Sequence, residues 1–158
     1  MIDIQTKGIF NMKNDNELIP QTKLKYLSDY ILEEETGVYK GYEYLITFTE
    51  AGHRNGYVTI PETHPLYDSK EDYPNVPMHG GCSFFGMFHF DESKVRIGFD
   101  GAHYGDGKDY ESLQKYFPDS PYRKTIDFSL DEQSPLTLEY CREQCYDIID
   151  FLQDNYDS

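Results

Sequence analysis

Residues 79–106 have the sequence HGGCSFFGMFHFDESKVRIGFDGAHYGD. Apolar side chains alternate along residues 82–90 and again along residues 95–99, which is the period of a β-strand. The polar run Asp91–Lys94 lies between these segments and predicts the turn that joins them. The stretch is therefore predicted to be an antiparallel hairpin around which the rest of the chain is organised.

The two outer ends of this hairpin carry histidines, acids and glycines. His79 starts the first strand and Asp100 ends the second, so antiparallel pairing places them side by side. His103 follows Asp100 by three residues and precedes Asp106 by three. We expect these groups, although distant in sequence, to form one site.

Two further strands are predicted before the hairpin. Val38–Thr49 is rich in tyrosine, isoleucine and threonine, and Tyr57–Ile60 follows a turn that contains glycine. Together these two strands are predicted to form a first hairpin. Upstream, the apolar positions have helical spacing after a suitable N-cap residue, so Thr22–Glu35 is predicted to be a helix. Residues 61–78 contain several prolines and are predicted to be an irregular surface loop.

The most regular pattern lies at the C-terminal end. Ser134 suits an N-cap and Pro135 suits the first helical position, and an apolar stripe with spacings of three and four follows. This pattern predicts one helix over most of Pro135–Tyr156. The helix should pack on one face of the sheet through its apolar residues, Leu138, Cys145, Ile149 and Leu152.

The connection between the hairpin and this helix is long and polar. A helical turn is predicted over Tyr110–Tyr116 and a strand over Thr125–Phe128. Together these elements predict the α+β class, with residues 1–158 as a single domain. The predicted domain is mainly an antiparallel sheet, and the long C-terminal helix packs on one face of this sheet.

Charge limits the classes of partner. The 158 residues include 14 lysines and arginines against 29 acids, for a net charge of −15. This charge disfavours nonspecific binding to nucleic acids and to anionic membranes. No apolar run reaches the length of about 18 residues that spans a bilayer, and the N-terminus lacks the pattern of a signal peptide. The three cysteines have no disulfide or metal-type spacing, so a cytoplasmic protein is expected.

Several short motifs occur in a fixed order. The ordered set resembles an uncharacterised family of small bacteriophage and prophage proteins, which also carry a C-terminal helix containing Glu-Cys. The resemblance covers residues 40–150 and implies an accessory role in a phage, without implying a reaction. Members commonly have tryptophans where this chain has Val95-Arg96-Ile97. The motifs are Gly56-Tyr57-Val58-Thr59-Ile60-Pro61, His64-Pro65-Leu66-Tyr67, His79-Gly80-Gly81, and Gly98-Phe99-Asp100-Gly101-Ala102-His103 with Asp106.

The predicted site supports three kinds of chemistry. Its imidazoles and carboxylates suit a divalent metal such as Zn²⁺ or Mn²⁺, with His64 or His53 as a further ligand from a loop. Acid–base catalysis without a metal would use the predicted catalytic residues His79, Asp100 and His103. Alternatively, the glycine turns bind a phosphate through backbone N–H groups while Tyr104 or Tyr57 stacks on a base. The candidate ligand-binding residues are His64, His79, Gly80, Gly81, Asp100, His103, Tyr104 and Asp106.

Three functions remain open. The first is a phage accessory protein with an anti-defence role, which binds a small anionic, nucleotide-like ligand at this site. The second is a hydrolase of such a ligand, either metal-dependent or using histidine and aspartate. The third is an acidic inhibitor that blocks a nucleic-acid-binding host protein through its surface charge. Binding ranks above catalysis because the sequence shows neither a nucleophile with its base nor a complete metal motif.

Overall fold

The computed structural model describes residues 24–103, 106–122 and 134–156. These residues form six antiparallel strands and two helices, which confirms the predicted α+β class. In chain order the elements are β1 (Lys25–Ser28), β2 (Ile31–Tyr39), β3 (Tyr42–Thr49), β4 (Arg54–Ile60), β5 (Phe84–Phe88), β6 (Asp91–Asp100), α1 (Tyr110–Tyr116) and α2 (Leu138–Tyr156). The strand order across the sheet is β1-β2-β3-β4-β6-β5.

The central hairpin is confirmed, because β5 and β6 pair antiparallel. Its predicted turn is wrong: Phe88 pairs with Asp91, and the run Asp91–Lys94 is the beginning of β6. Asp91 accepts hydrogen bonds from the backbone and hydroxyl of Ser93 and lies 3.2 Å from Arg96. These contacts stabilise the polar run within the strand, and the turn falls on the two residues before it.

The predicted helix Thr22–Glu35 is wrong over its described residues, which form β1 and part of β2. Thr22 itself lies outside the described residues. Long-range ion pairs override the local helical spacing. Glu34 lies 2.6 Å from Arg54 on β4, and Glu35 lies 2.6 Å from Arg142 on α2.

The predicted strand Val38–Thr49 is divided between β2 and β3. Lys40 and Gly41 lie between them with φ values of 51° and 85°, and Tyr39 pairs with Tyr42. Two consecutive positive φ values are the pattern of a two-residue hairpin turn. The predicted strand Tyr57–Ile60 lies within β4 and pairs with β3, so this first hairpin is confirmed.

Helix α2 covers one face of the sheet, as predicted. Cys145, Ile149 and Leu152 are fully buried, and Leu138 is half-buried against the same core. Gly56 on β4 permits the close approach, since a Cβ there would lie 3.1 Å from the Cys145 sulfur. The sheet contributes buried residues of β3, β4 and β6 to this core, among them Ile46, Val58, Ile60, Val95, Ile97 and Phe99, and the loop 61–78 adds Leu66 and Val76.

The start of α2 differs from the prediction. The helix begins at Leu138, and Thr137 caps it by accepting a hydrogen bond from the backbone N–H of Tyr140 at 3.0 Å. Ser134 instead accepts from the backbone N–H of Gly107 at 3.1 Å, so this segment is tied to the loop before α1. Helix α1 matches the predicted helical turn, and the predicted strand Thr125–Phe128 lies outside the described residues. Within the described ranges no helix is long and apolar enough to cross a membrane.

Candidate metal and ligand site

His79 lies in a tight turn before β5. The backbone N–H of Gly81 donates to the carbonyl of Met78 at 2.9 Å, and Gly80 has a φ of 68°. A positive φ at the third residue of such a turn is readily adopted only by glycine. The glycines therefore determine the backbone that carries the His79 side chain.

His103 and Asp106 lie in the turn that follows β6. The His103 N–H donates to Asp106 Oδ2 at 3.0 Å, and the Asp106 N–H donates to the His103 carbonyl at 2.8 Å. At the start of this turn Asp100 Oδ1 accepts from the backbone N–H of Ala102 at 3.0 Å. The reciprocal bonds hold the Asp106 carboxylate against the backbone of His103.

The hairpin brings these two turns together. His79 Nε2 lies 3.1 Å from both carboxylate oxygens of Asp106. The His79 and His103 ring centroids are 5.9 Å apart, and one ligand atom from each of His79, His103 and Asp106 lies within 4.8 Å of the other two. Asp100 lies at the rim, with Oδ1 at 3.3 Å from His103 Nδ1. Four of the residues singled out in the sequence therefore share one place on the surface.

Two residues of α2 orient His79. The hydroxyl of Tyr140 lies 2.9 Å from His79 Nδ1, and Gln144 Oε1 accepts a hydrogen bond from the His79 backbone N–H at 2.8 Å. The sequence analysis did not identify either residue. Tyr140 immediately precedes the buried Cys141, and Gln144 immediately precedes the buried Cys145. Their position at the edge of the apolar stripe is the one sequence feature that indicates a contact with the sheet side of the helix.

Gly80 also permits the close contact between the two turns. A Cβ on Gly80 would lie 2.5 Å from the His103 ring, whereas a Cβ on Gly81 would meet nothing within 4 Å. The His103 ring therefore packs directly over the backbone at Gly80, a position where no larger residue fits.

Arg54 anchors the supporting structure. Its guanidinium is buried and binds Glu34 at 2.6 Å, Asp109 at 2.7 Å and the carbonyl of Leu136 at 3.0 Å. These contacts join β2 and β4 to the start of α1 and to the segment before α2. Arg54 thus holds the end of the loop that carries His103 and Asp106, and at the start of this loop the Gly101 N–H donates to Asn55 Oδ1 at 3.1 Å.

Other residues proposed from the sequence lie elsewhere. His64 is buried: its Nδ1 accepts from the Leu66 backbone N–H at 3.1 Å, and its Nε2 lies 3.3 Å from the Leu152 carbonyl. The structure therefore gives His64 a packing role next to α2, away from the cluster. The Tyr57 ring packs against Phe84 on the other face of the sheet, and Tyr104 lies outside the described residues.

His53 is a neighbour of the cluster. Burial lowers the pKa of its imidazole, nearby Lys108 lowers it further, and the charge of Asp106 acts in the opposite direction. His53, expected from the sequence as a possible further ligand, is not one of the three residues whose ligand atoms converge.

The site is an open surface. The side chains of His79, His103 and Asp106 are 20%, 35% and 11% exposed, so the carboxylate is the most enclosed and the imidazoles reach solvent. Two cavities found among the described residues are lined by other residues. The partly exposed imidazoles suit a ligand that is bound at the surface.

The contacts permit two chemistries. Two imidazoles and one carboxylate suit a divalent transition metal and leave coordination positions open to solvent. The chain Asp106, His79 and Tyr140 also has the form of a carboxylate that orients a histidine towards a hydroxyl. Burial raises the pKa of Tyr140, so its phenol stays protonated at neutral pH and is not activated as a nucleophile. The metal site is the better supported of the two.

Comparisons of this chain with family models, with curated proteins and with solved structures find no match. The resemblance to phage proteins therefore stays a prediction.

Proposed function

We propose that the protein binds one divalent transition-metal ion, Zn²⁺ or Mn²⁺, through His79, His103 and Asp106, and uses it to bind the anionic group of a small ligand. The observation that carries this proposal is the convergence of three ligand atoms within 4.8 Å of one another. They come from two turns that are 27 residues apart at His79 and Asp106.

The surroundings of the three residues support a metal ion. Metal-binding histidines are usually held by an outer hydrogen bond on the second ring nitrogen, and Tyr140 provides that contact at His79 Nδ1. His103 Nδ1 makes no hydrogen bond among the described residues, but it lies 3.3 Å from Asp100 Oδ1 and 3.7 Å from Asp106 Oδ2. Two carboxylates beside this nitrogen make the position favourable for a cation.

The charge of the protein explains why a metal would be needed. A chain with a net charge of −15 repels anions in general. A divalent cation at the cluster would reverse the local sign, and three protein ligands would leave positions for water or for an oxygen of the anion. The phosphate of a nucleotide-like molecule, the ligand expected from the glycine turns and histidines of the sequence, is an anion of this kind.

The test is a titration of the metal-free protein with Zn²⁺ and with Mn²⁺ by isothermal calorimetry, followed by inorganic phosphate. We expect one ion per chain, and phosphate binding only when the metal is present. His103→Ala should lose the metal, while His89→Ala, at an exposed histidine in the turn after β5, should bind as the wild type does. Failure of the wild type to bind either ion, or full binding by His103→Ala, contradicts the proposal.

Hydrolysis is a second candidate, favoured by the contact of His79 with both Asp106 and Tyr140. A metal-bound water would supply the nucleophile that the side chains lack. The measurement is release of 4-nitrophenol from 4-nitrophenyl phosphate and from its diester, with either metal. Turnover that is removed by EDTA and by His103→Ala supports an enzyme, and its absence in a metal-loaded protein leaves binding as the function.

A further inference from the structure

The face of the sheet opposite α2 contains a cavity of about 620 Å³. Strand alternation explains which residues face it: Leu45, Thr59 and Arg96 alternate with Ile46, Ile60 and Ile97, which pack in the α2 core. The cavity is also lined by residues of β1 and β5, the two edge strands. The sheet must therefore curl, so that its edges approach around one concave surface.

Arg96 is the unusual residue of this cavity. It is only 8% exposed, and its guanidinium lies over the Phe88 ring at 4.7 Å. Nη2 lies 3.2 Å from the carboxylate of Asp91. Nε and Nη1 are buried and find no hydrogen-bond partner among the described residues.

Within the described part of the chain, the guanidinium of Arg96 lacks hydrogen-bond acceptors for two of its nitrogens. A buried guanidinium with unpaired N–H groups is costly, because each group has lost its water without gaining a replacement. Arg54 shows the contrast, since all three of its nitrogens are hydrogen-bonded. The side chain of Arg96 therefore has binding capacity that the described protein does not use.

We infer that this cavity binds a small aromatic anion, with the oxyanion on Arg96 and the ring against the aromatic wall. The wall consists of Phe88 and Phe90, whose rings are stacked at 4.9 Å. The volume is within the range of sites for small organic ligands. Nε and Nη1 are shielded from water, so the guanidinium turns into the cavity to reach the ligand. In this movement it exchanges its ion pair with Asp91 for an ion pair with the ligand.

The local charge favours this ligand. The cavity is lined by three cations and three carboxylates, so it is neutral within a chain of net charge −15. Lys94 and Lys25 lie at its rim, paired with Glu43 at 2.9 Å and with Glu33 at 3.5 Å. These pairs are exposed and weak, so either lysine can turn to an incoming anion.

The site is independent of the proposed metal site, because none of its lining residues belongs to the cluster of His79, His103 and Asp106. Measurements in the presence of EDTA therefore test it alone.

The probe is 8-anilinonaphthalene-1-sulfonate, an aromatic sulfonate, followed by fluorescence and by calorimetry. We expect saturable binding of one molecule per chain. Arg96→Met should weaken it about tenfold or more, the loss expected when a hydrogen-bonded charge is removed. Lys70→Met, which removes a positive charge from the exposed loop, should leave it unchanged.

A second variant tests the inference even if Arg96→Met fails to fold. Asp91→Asn removes the carboxylate that competes for the guanidinium but keeps the acceptor for Ser93, so it should bind the probe more tightly than the wild type. Circular dichroism of the tyrosines and thermal melts show whether each variant is folded. Absence of saturable binding by the wild type, equal binding by a folded Arg96→Met, or unchanged or weaker binding by Asp91→Asn overturns the inference.

Discussion

His79 Nε2 lies 3.1 Å from both oxygens of the Asp106 carboxylate. The two residues are brought together by the β5–β6 hairpin, and each belongs to a turn that is held by its own backbone hydrogen bonds. The contact therefore depends on two local conformations and one strand pairing, each of which can be changed separately.

Gly80→Ala should disrupt the cluster, because the added methyl meets the His103 ring at 2.5 Å. Gly81→Ala is the matched control: it has the same kind of strained φ, 85°, but its methyl meets nothing within 4 Å. The positive φ should cost each variant about 1 kcal/mol of stability, and the contact with His103 adds to the loss in Gly80→Ala. Only Gly80→Ala should also lose metal binding in calorimetry, and equal metal affinity in the two variants would show that the contact with His103 has no role.

Tyr140→Phe should weaken metal binding about tenfold or more, the usual effect of removing an outer hydrogen bond to a ligating histidine. Tyr140 is a positioning residue in this proposal, acting through His79 Nδ1. Thermal stability should hardly change, since the phenol is partly exposed. Tyr73→Phe, at a tyrosine 65% exposed in the loop before His79, is the control and should bind the metal normally.

Leu152→Ala should lower the free energy of unfolding by about 2 to 5 kcal/mol, as expected for a large buried side chain. Leu152 is fully buried in the core between α2 and the sheet. Val38→Ala, at a side chain 67% exposed, should change it by about half a kcal/mol or less. Urea unfolding curves measure both, and a loss at Leu152 no greater than at Val38 would place α2 outside the core.

Glu35 should make stability depend on pH. The hydrogen bond from Arg142 lowers the pKa of the Glu35 carboxyl, and a bond from the Tyr44 hydroxyl acts in the same direction. A lowered pKa stabilises the fold above the unfolded pKa and loses that effect as pH falls through the folded value. The melting temperature of the wild type should therefore exceed that of Glu35→Gln at pH 7, and the difference should shrink towards pH 3. A constant difference would contradict this, and Glu92→Gln, at an exposed position, is the control.

Sequence patterns predict the secondary structure correctly where the local preference of the residues agrees with the packing that the folded protein requires. The alternation around Ile97 and the apolar stripe through Ile149 correctly indicated a hairpin and a covering helix, because one face of each element is buried. Local spacing predicts the wrong element over residues 25–35, since Leu27 and Ile31 fit a helix while Glu34 and Glu35 bind arginines distant in sequence. The turns of His79 and His103 were expected to meet because antiparallel pairing requires it. The contribution of Tyr140 depends on the position of α2, which no local pattern contains.

The attachment of His79 to α2 has a consequence for the order of assembly during synthesis. Translation completes β1–β6 before α2 exists, and these strands are neighbours that can pair as they emerge. His79 then lacks Gln144 and Tyr140, which lie 65 and 61 residues further along the chain. A nascent chain released before α2 docks carries both histidines without the support that orients His79. The candidate site is therefore completed only after α2 has been synthesised and has docked, so products that end before Tyr140 should be poor competitors for its ligand.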